Sequence, residues 1–192
     1  PSNQHSCVLN SPEVTKPVVS LLSRSPTFFP ESREFSSRAP IFSETLFLGE
    51  RTAVLNQGRI EQIGSVFDVF SRPETPFVAE FVGMKNVFPA TFDDARCIIE
   101  DLSLELENPP GFTEGHLAIR PEDVIVKTEA FSGNGMTVLQ GKVLGVMDRG
   151  PYHEVLVKRG EVTFTATISK SDLFGLALSK NNDVHIGIQT SS

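Results

Sequence analysis

Apolar and polar positions fall into three regimes along the chain. Residues 1–41 hold no sustained period of 3.6 or 2, and Pro12, Pro17, Pro26, Pro30 and Pro40 interrupt any helix or central strand. One short apolar piece, Pro17-Val18-Val19-Ser20-Leu21-Leu22, is suited to packing but stands alone. With nine Ser and six Pro in residues 1–40, this segment reads as a disordered or unrelated tail.

A second regime runs over residues 42–86. Ser43 to Gly49 predicts a short helix, capped by Ser43 and ended by Gly49. Thr52–Leu55 and Arg59–Ile63 flank Asn56-Gln57-Gly58, which predicts a hairpin. Ser65 caps a helix over Val66–Ser71, with Asp68 in its first turn. Thr75 with Pro76 at the first helical position starts another, which Gly83 ends. Phe77, Val78, Phe81 and Val82 form one buried stripe on it.

Beyond Gly83 the period shortens to 2. Ile98-Ile99, Ser103–Glu107, His116–Arg120, Val124–Val126, Thr137–Met147, Glu154–Lys158, Val162–Ile168 and Val184–Gln189 alternate or are β-branched. Turn signals such as Ser132-Gly133-Asn134-Gly135 and Arg149-Gly150-Pro151 separate them. The pattern predicts a mainly β module, a small barrel or sandwich, interrupted by one helix over Lys170–Leu176.

Composition narrows the function classes. The chain has 192 residues and a formal net charge of −7, with nine basic against fifteen acidic residues in 92–192. An acidic module repels polyphosphate backbones, so nucleic acid is not an expected partner. No run of 18 apolar residues is present. Cys7 and Cys97 have no metal-ligand spacing and make no disulfide framework. The four histidines, His5, His116, His153 and His185, have no carboxylate and Ser or Cys at a spacing that would make a catalytic set.

Three stretches carry a resemblance. Arg51-Thr52-Ala53-Val54-Leu55-Asn56-Gln57-Gly58-Arg59-Ile60-Glu61-Gln62-Ile63-Gly64 resembles the last hairpin of ABC-transporter ATPases. Val69-Phe70-Ser71-Arg72-Pro73-Glu74-Thr75-Pro76-Phe77-Val78-Ala79-Glu80-Phe81-Val82-Gly83, followed by Asn86, is similar to the helical pair closing that domain in importer subunits. Leu117-Ala118-Ile119-Arg120-Pro121-Glu122-Asp123-Val124 resembles the Arg-Pro-Glu motif of the attached regulatory domain, often called TOBE. Gly83–Phe88 and the run from Gly141 to Ile168 are most similar to the molybdate, tungstate and sulfate importers.

The resemblance implies a fold and a division of the chain. It implies an OB-like, TOBE or Mop-like barrel over 87–192, preceded by a helix–hairpin–helix remnant of an ABC ATPase domain over 42–86. The likeness stops at Phe42: the family's switch His-Asp would fall on Pro40 and Ile41. The pattern G-x-x-x-x-G-K-[ST] that clamps phosphates is missing from these residues, as are the Leu-Ser-Gly-Gly-Gln signature and the Asp-Glu strand that holds Mg²⁺. ATP and Mg²⁺ therefore belong to the parent family, and no catalytic residue is expected in this chain.

Candidate chemistry comes from the same family. Its molybdate-type domains hold a tetrahedral dianion with backbone N–H groups, hydroxyls and sometimes a Lys, between paired β-modules. The matching positions are Asn134-Gly135-Met136-Thr137, Ser169 and Lys170, and Gln189-Thr190-Ser191. A Gly-containing turn aims N–H groups at an anion, and hydroxyls donate without bulk. The family's Ser-Ala-Arg-Asn reads Asn134–Thr137 here, and its Lys is Gln189. These residues also suit ordinary turn positions of a barrel. Arg120, Pro121 and Glu122 either anchor a loop or meet the ATPase body. Expected partners are a permease and a second ATP-binding subunit, with a homodimer through the β-domain at the cytoplasmic face of the membrane. A free-standing oxyanion-binding protein and a truncated form of a complete transport ATPase remain the alternatives.

Overall fold

The turn Gln57-Gly58 sets the first hairpin, because both residues have positive φ, 49° and 79°, matching the twist of the flanking strands. The computed structural model describes residues 6–9, 19–24, 51–108 and 110–189. Within them the chain forms two compact units, Ser11–Val82 and Pro1–Asn10 with Gly83–Ser192.

In the first unit, β2 (Val19–Arg24), β3 (Arg51–Asn56) and β4 (Arg59–Ser65) make an antiparallel sheet in the order β2-β3-β4. Helix α1 (Val66–Ser71) starts as expected: the Ser65 hydroxyl accepts from the Asp68 N–H at 3.0 Å. Helix α2 (Pro76–Phe81) likewise starts on Thr75, whose hydroxyl accepts from the Val78 N–H at 3.2 Å. Gln62 ties hairpin to helices, since Nε2 donates to the Arg72 carbonyl and Oε1 accepts from the Glu74 N–H. Val54, Val69, Val78 and Ala79 are fully buried, and the Phe77 and Phe81 rings stack 6.4 Å apart. The helix expected over Ser43–Gly49 lies outside the described residues.

The second unit is almost wholly β. One sheet runs β1 (Ser6–Leu9), β8 (Glu114–Ile119), β5 (Asn86–Asp93), β6 (Arg96–Ile99) and β7 (Leu102–Glu105). The other runs β12 (Val162–Ser169), β11 (Tyr152–Arg159), β10 (Met136–Asp148), β13 (Asp183–Gln189) and β9 (Val124–Lys127). Every neighbouring pair is antiparallel. A bulge between Val143 and Gly145 bends β10, and β9 comes beside β12, so this sheet curls toward closure as an OB-like half-barrel. Both sheets share one core, centred on Phe164, Val143, Val155, Leu117 and Ile186. The Phe88 ring meets Phe164 edge-on at 5.3 Å. Helix α3 (Lys170–Leu176) follows β12 with the bounds the sequence predicts.

Three expectations need correction. Within the expected tail, residues 6–9 and 19–24 are strands, for β1 pairs with β8 and β2 with β3. Their partners are distant in sequence, so short apolar pieces there carry no local period. Strand β5 is the second, hidden by Pro89. Its tolerance is local: Pro89 lies opposite His116 of β8, while the β6 ladder begins only at Thr91, so no second neighbour needs the missing N–H. Third, the unit boundary falls at Gly83 rather than after Asn86, because the Asn86 side chain is built into the β-module.

Candidate functional site

The proposed donor groups can be located strand by strand. Antiparallel pairing of β10 with β13 sets Met136 opposite Gln189 and Thr137 opposite Ile188. Two of the three sequence-predicted groups therefore meet at one end of β10, next to the turn at Gly135, where φ is +64°. Gly187 of β13 lets them close up. A Cβ there would meet Met136 Sδ at 2.6 Å and Phe131 Cζ at 2.7 Å. Met136 thus packs with Phe131 over a bare backbone, and Lys127 Nζ stands 4.9 Å above the Phe131 ring. Thr190 and Ser191 lie outside the described residues.

Ser169 and Lys170 sit elsewhere. Ser169 pairs with Tyr152, just beyond the Asp148–His153 pair that ends β10. That is the opposite end of β10 from Met136 and Gln189. The Ser169 hydroxyl caps α3, accepting from the Asp172 N–H at 3.1 Å and bonding Asp172 Oδ2 at 2.7 Å and Ser171 Oγ at 2.8 Å. It is committed locally. A groove of about 580 Å³ opens beside it between β9 and α3, and three carboxylates, Glu122, Glu129 and Asp172, line it against one cation, Lys127. That sign of charge does not attract an anion.

Arg120 precedes the 3-10 turn Pro121–Asp123, whose Pro121 is buried, and its Nη1 lies 4.0 Å from Glu122 Oε1. At that separation the pair is loose, and Glu122 is exposed on the groove rim. The motif therefore ends β8 and starts β9 through Pro121.

A cluster without a sequence signal surrounds Glu154 of β11, which is only 2% exposed. Lys85 donates to Oε1, while Arg149 reaches Oε2 through Nε at 3.0 Å and Nη2 at 2.8 Å. Burial pushes the Glu154 carboxyl up, but hydrogen bonds from Lys85 and then Arg149 outweigh it, leaving it below its ordinary range. Beside it Asp148 is exposed and also held low, chiefly by the Gly150 N–H that it accepts at 2.7 Å. Burial pushes the Cys97 thiol up to about 12 and lowers His116. The buried Cys97 is therefore a protonated thiol. Among the described residues no group of three His, Cys, Asp or Glu is placed to hold a metal, and no helix is long and apolar enough to cross a membrane.

The chain is related to the ATP-binding subunits of ABC importers. It is 32% identical, over 79% of its length, to the molybdate/tungstate import ATP-binding protein of Pyrococcus abyssi, of which the match covers 44%. It is 40% identical over 45% of its length to a sulfate/thiosulfate import ATP-binding protein of Agrobacterium fabrum, covering 25% of that protein. The chain spans less than half the length of these relatives. No protein-family model matches it. Among solved structures, a molybdate-bound form of the cytoplasmic molybdate-binding protein ModG aligns with 56% of this chain and 92% of its own, at 16% identity and a TM-score of 0.49.

Proposed function

We propose that this chain is the regulatory, dimer-contacting module at the carboxy-terminal end of an ABC importer's ATP-binding subunit, serving uptake of an oxyanion such as molybdate, tungstate or sulfate. One observation carries the reading. The match to the molybdate/tungstate import ATP-binding protein extends over 153 residues, more than the 110 of residues 83–192 can supply, so it reaches into the hairpin and helical pair. The division proposed with it is a remnant of the ATPase domain through α2, then the β-module. A permease and a second ATP-binding subunit are its partners, at the inner face of the membrane.

The chain itself transfers no phosphoryl group in this reading. Its sequence contains no phosphate clamp, and the hairpin and helical pair offer none. A fluorescent ATP analogue with Mg²⁺ is expected to show no saturable binding, and a Kd below about 100 μM would overturn this.

Oxyanion binding, where retained, needs two copies. The Met136–Gln189 pairing supplies donors at one end of β10 and leaves Ser169 and Lys170 at the other, so one module presents a partial shell. Gln189 offers a neutral amide where a Lys would add a charge-assisted bond worth about 1.5–3 kcal/mol. Titration of the chain with molybdate, tungstate and sulfate should therefore show weak binding that rises with dimerisation. Gln189→Lys should tighten it roughly tenfold to a hundredfold. Tight binding by the unmodified monomer, unmoved by Thr137→Ala or Ser191→Ala, would place the site elsewhere.

A further inference from the structure

A second concavity, of about 550 Å³, lies beside the Lys142–Lys158 end of the β10–β11 ladder, and its charge is the reverse of the groove beside α3. Lys142, Lys158 and Arg159 line it against one carboxylate, Asp183, in a chain whose formal charge is −7. The geometry points to a binding site here for a small polyvalent phosphate, distinct from the donors around Gln189 and independent of the importer reading.

The arrangement of the cations is the first argument. Lys142 and Lys158 are directly opposed in the β10–β11 register, a placement of like charges that weakens a sheet. Asp183, across the other ladder, neutralises only Lys142, at 2.9 Å. Glu161 approaches Lys158 no closer than 3.8 Å, and Arg159 makes no ion pair among the described residues. Three cations thus crowd one hollow whose interior holds only Asp183, with Glu161 and Asp101 at its rim, and an anion between Lys142 and Lys158 would relieve their repulsion.

The second argument is the rigid wall. A Cβ at Gly141 would meet Val157 Cγ1 at 2.7 Å and the Lys158 carbonyl at 2.8 Å, so glycine lets the strands approach there and leaves bare backbone between the cations. Asp101, on the turn between β6 and β7, accepts from the Glu161 N–H at 3.2 Å and abuts Gly160, which fixes the rim carrying Arg159. On the far side Asn181 donates its N–H to the Val143 carbonyl at 2.7 Å, fixing the turn ahead of β13. Walls set before binding lower its entropic cost. An Arg fork with two Lys point charges suits phosphate oxygens, and the volume is that of a small-molecule site.

The test is a ¹⁵N NMR titration of the full chain with inorganic pyrophosphate at constant ionic strength. Saturable shifts are expected at Gly141, Lys142, Lys158 to Gly160 and Asn181. Arg159→Gln and Lys158→Met should each weaken binding about two- to fivefold, the scale of an exposed ion pair, while Lys127→Met removes the same charge without effect. All three side chains lie at the surface, and an unperturbed core spectrum checks each fold. Shifts that never saturate, that spread over the whole surface, or that weaken equally in Lys127→Met would overturn the proposal.

Discussion

Replacing Lys85 and Arg149 together by Met is expected to cost the β-module about 3–5 kcal/mol, the range for leaving a buried charge without its partners. The reason is an asymmetry of exposure. Glu154 is 2% exposed, whereas the side chains of Lys85 and Arg149 are 44% and 45% exposed. Remove the carboxylate, as in Glu154→Gln, and both cations turn to water, so this change should cost only about 1–2 kcal/mol. Remove the cations, and the carboxylate stays buried with nothing to offset its desolvation. The single variants should fall between, and their costs should not add, because each leaves the other cation bonded to the same carboxyl.

Acid titration separates these cases by sign. In the unmodified chain burial raises the Glu154 carboxyl and the Lys85 and Arg149 bonds lower it further, so its folded value sits below the ordinary 4.5. Its contribution is then complete above 4.5 and is lost as pH falls through the folded value. With both cations gone, burial acts alone and the folded value rises. Stability of the double variant should therefore increase as pH falls through that raised value toward 4.5, whereas the parent's loss begins only below 4.5. Urea unfolding midpoints at several pH values between roughly 3 and 7 test it. A double variant that loses stability in parallel with the parent would refute the clamp.

The same cluster shows what a linear sequence conceals. Helix starts were legible because their chemistry is local: Ser65 and Thr75 each accept from an N–H three residues on. Strands bounded by Gly-rich turns were legible for the same reason. Lys85 and Glu154 are 69 residues apart, and nothing near either one announces the other. Strand β5 carries a proline that argues against a strand until its neighbours are known. Of the candidate site, the matching words located Asn134–Thr137 and Gln189, but only the β10–β13 register brings Met136 to Gln189. The register also sends Ser169 to the far end of β10, and its hydroxyl is taken by the α3 cap. Pattern matching finds donors; pairing decides which of them can share a ligand.

One residue beyond Lys85, Asn86 should prove nearly as costly to change. It is 1% exposed and acts as a piece of backbone for the sheet edge. Among the described residues β12 ends its sheet, so no strand is hydrogen-bonded to Thr165 on one side. Asn86 fills that place: Oδ1 accepts from the Thr165 N–H at 2.6 Å and Nδ2 donates to the Thr165 carbonyl at 2.9 Å. Nδ2 also reaches the Ile119 carbonyl at 3.3 Å. The amide thereby links the two sheets through groups that water does not reach freely. Asn86→Ala leaves both Thr165 groups unpartnered and should cost about 2–4 kcal/mol. Asn86→Asp keeps the shape and the acceptor but cannot donate to either carbonyl, and it buries a charge. At neutral pH it should be at least as damaging as Ala. Burial raises the folded value of the new carboxyl, so its penalty is present above that value and should ease as pH falls through it, where a protonated oxygen can donate again. Amide exchange at Thr165, read with urea unfolding, distinguishes this role from simple packing. If Thr165 keeps its protection in Asn86→Ala, or if Asn86→Asp is within about 0.5 kcal/mol of the parent at pH 7, the amide is not bridging the sheets.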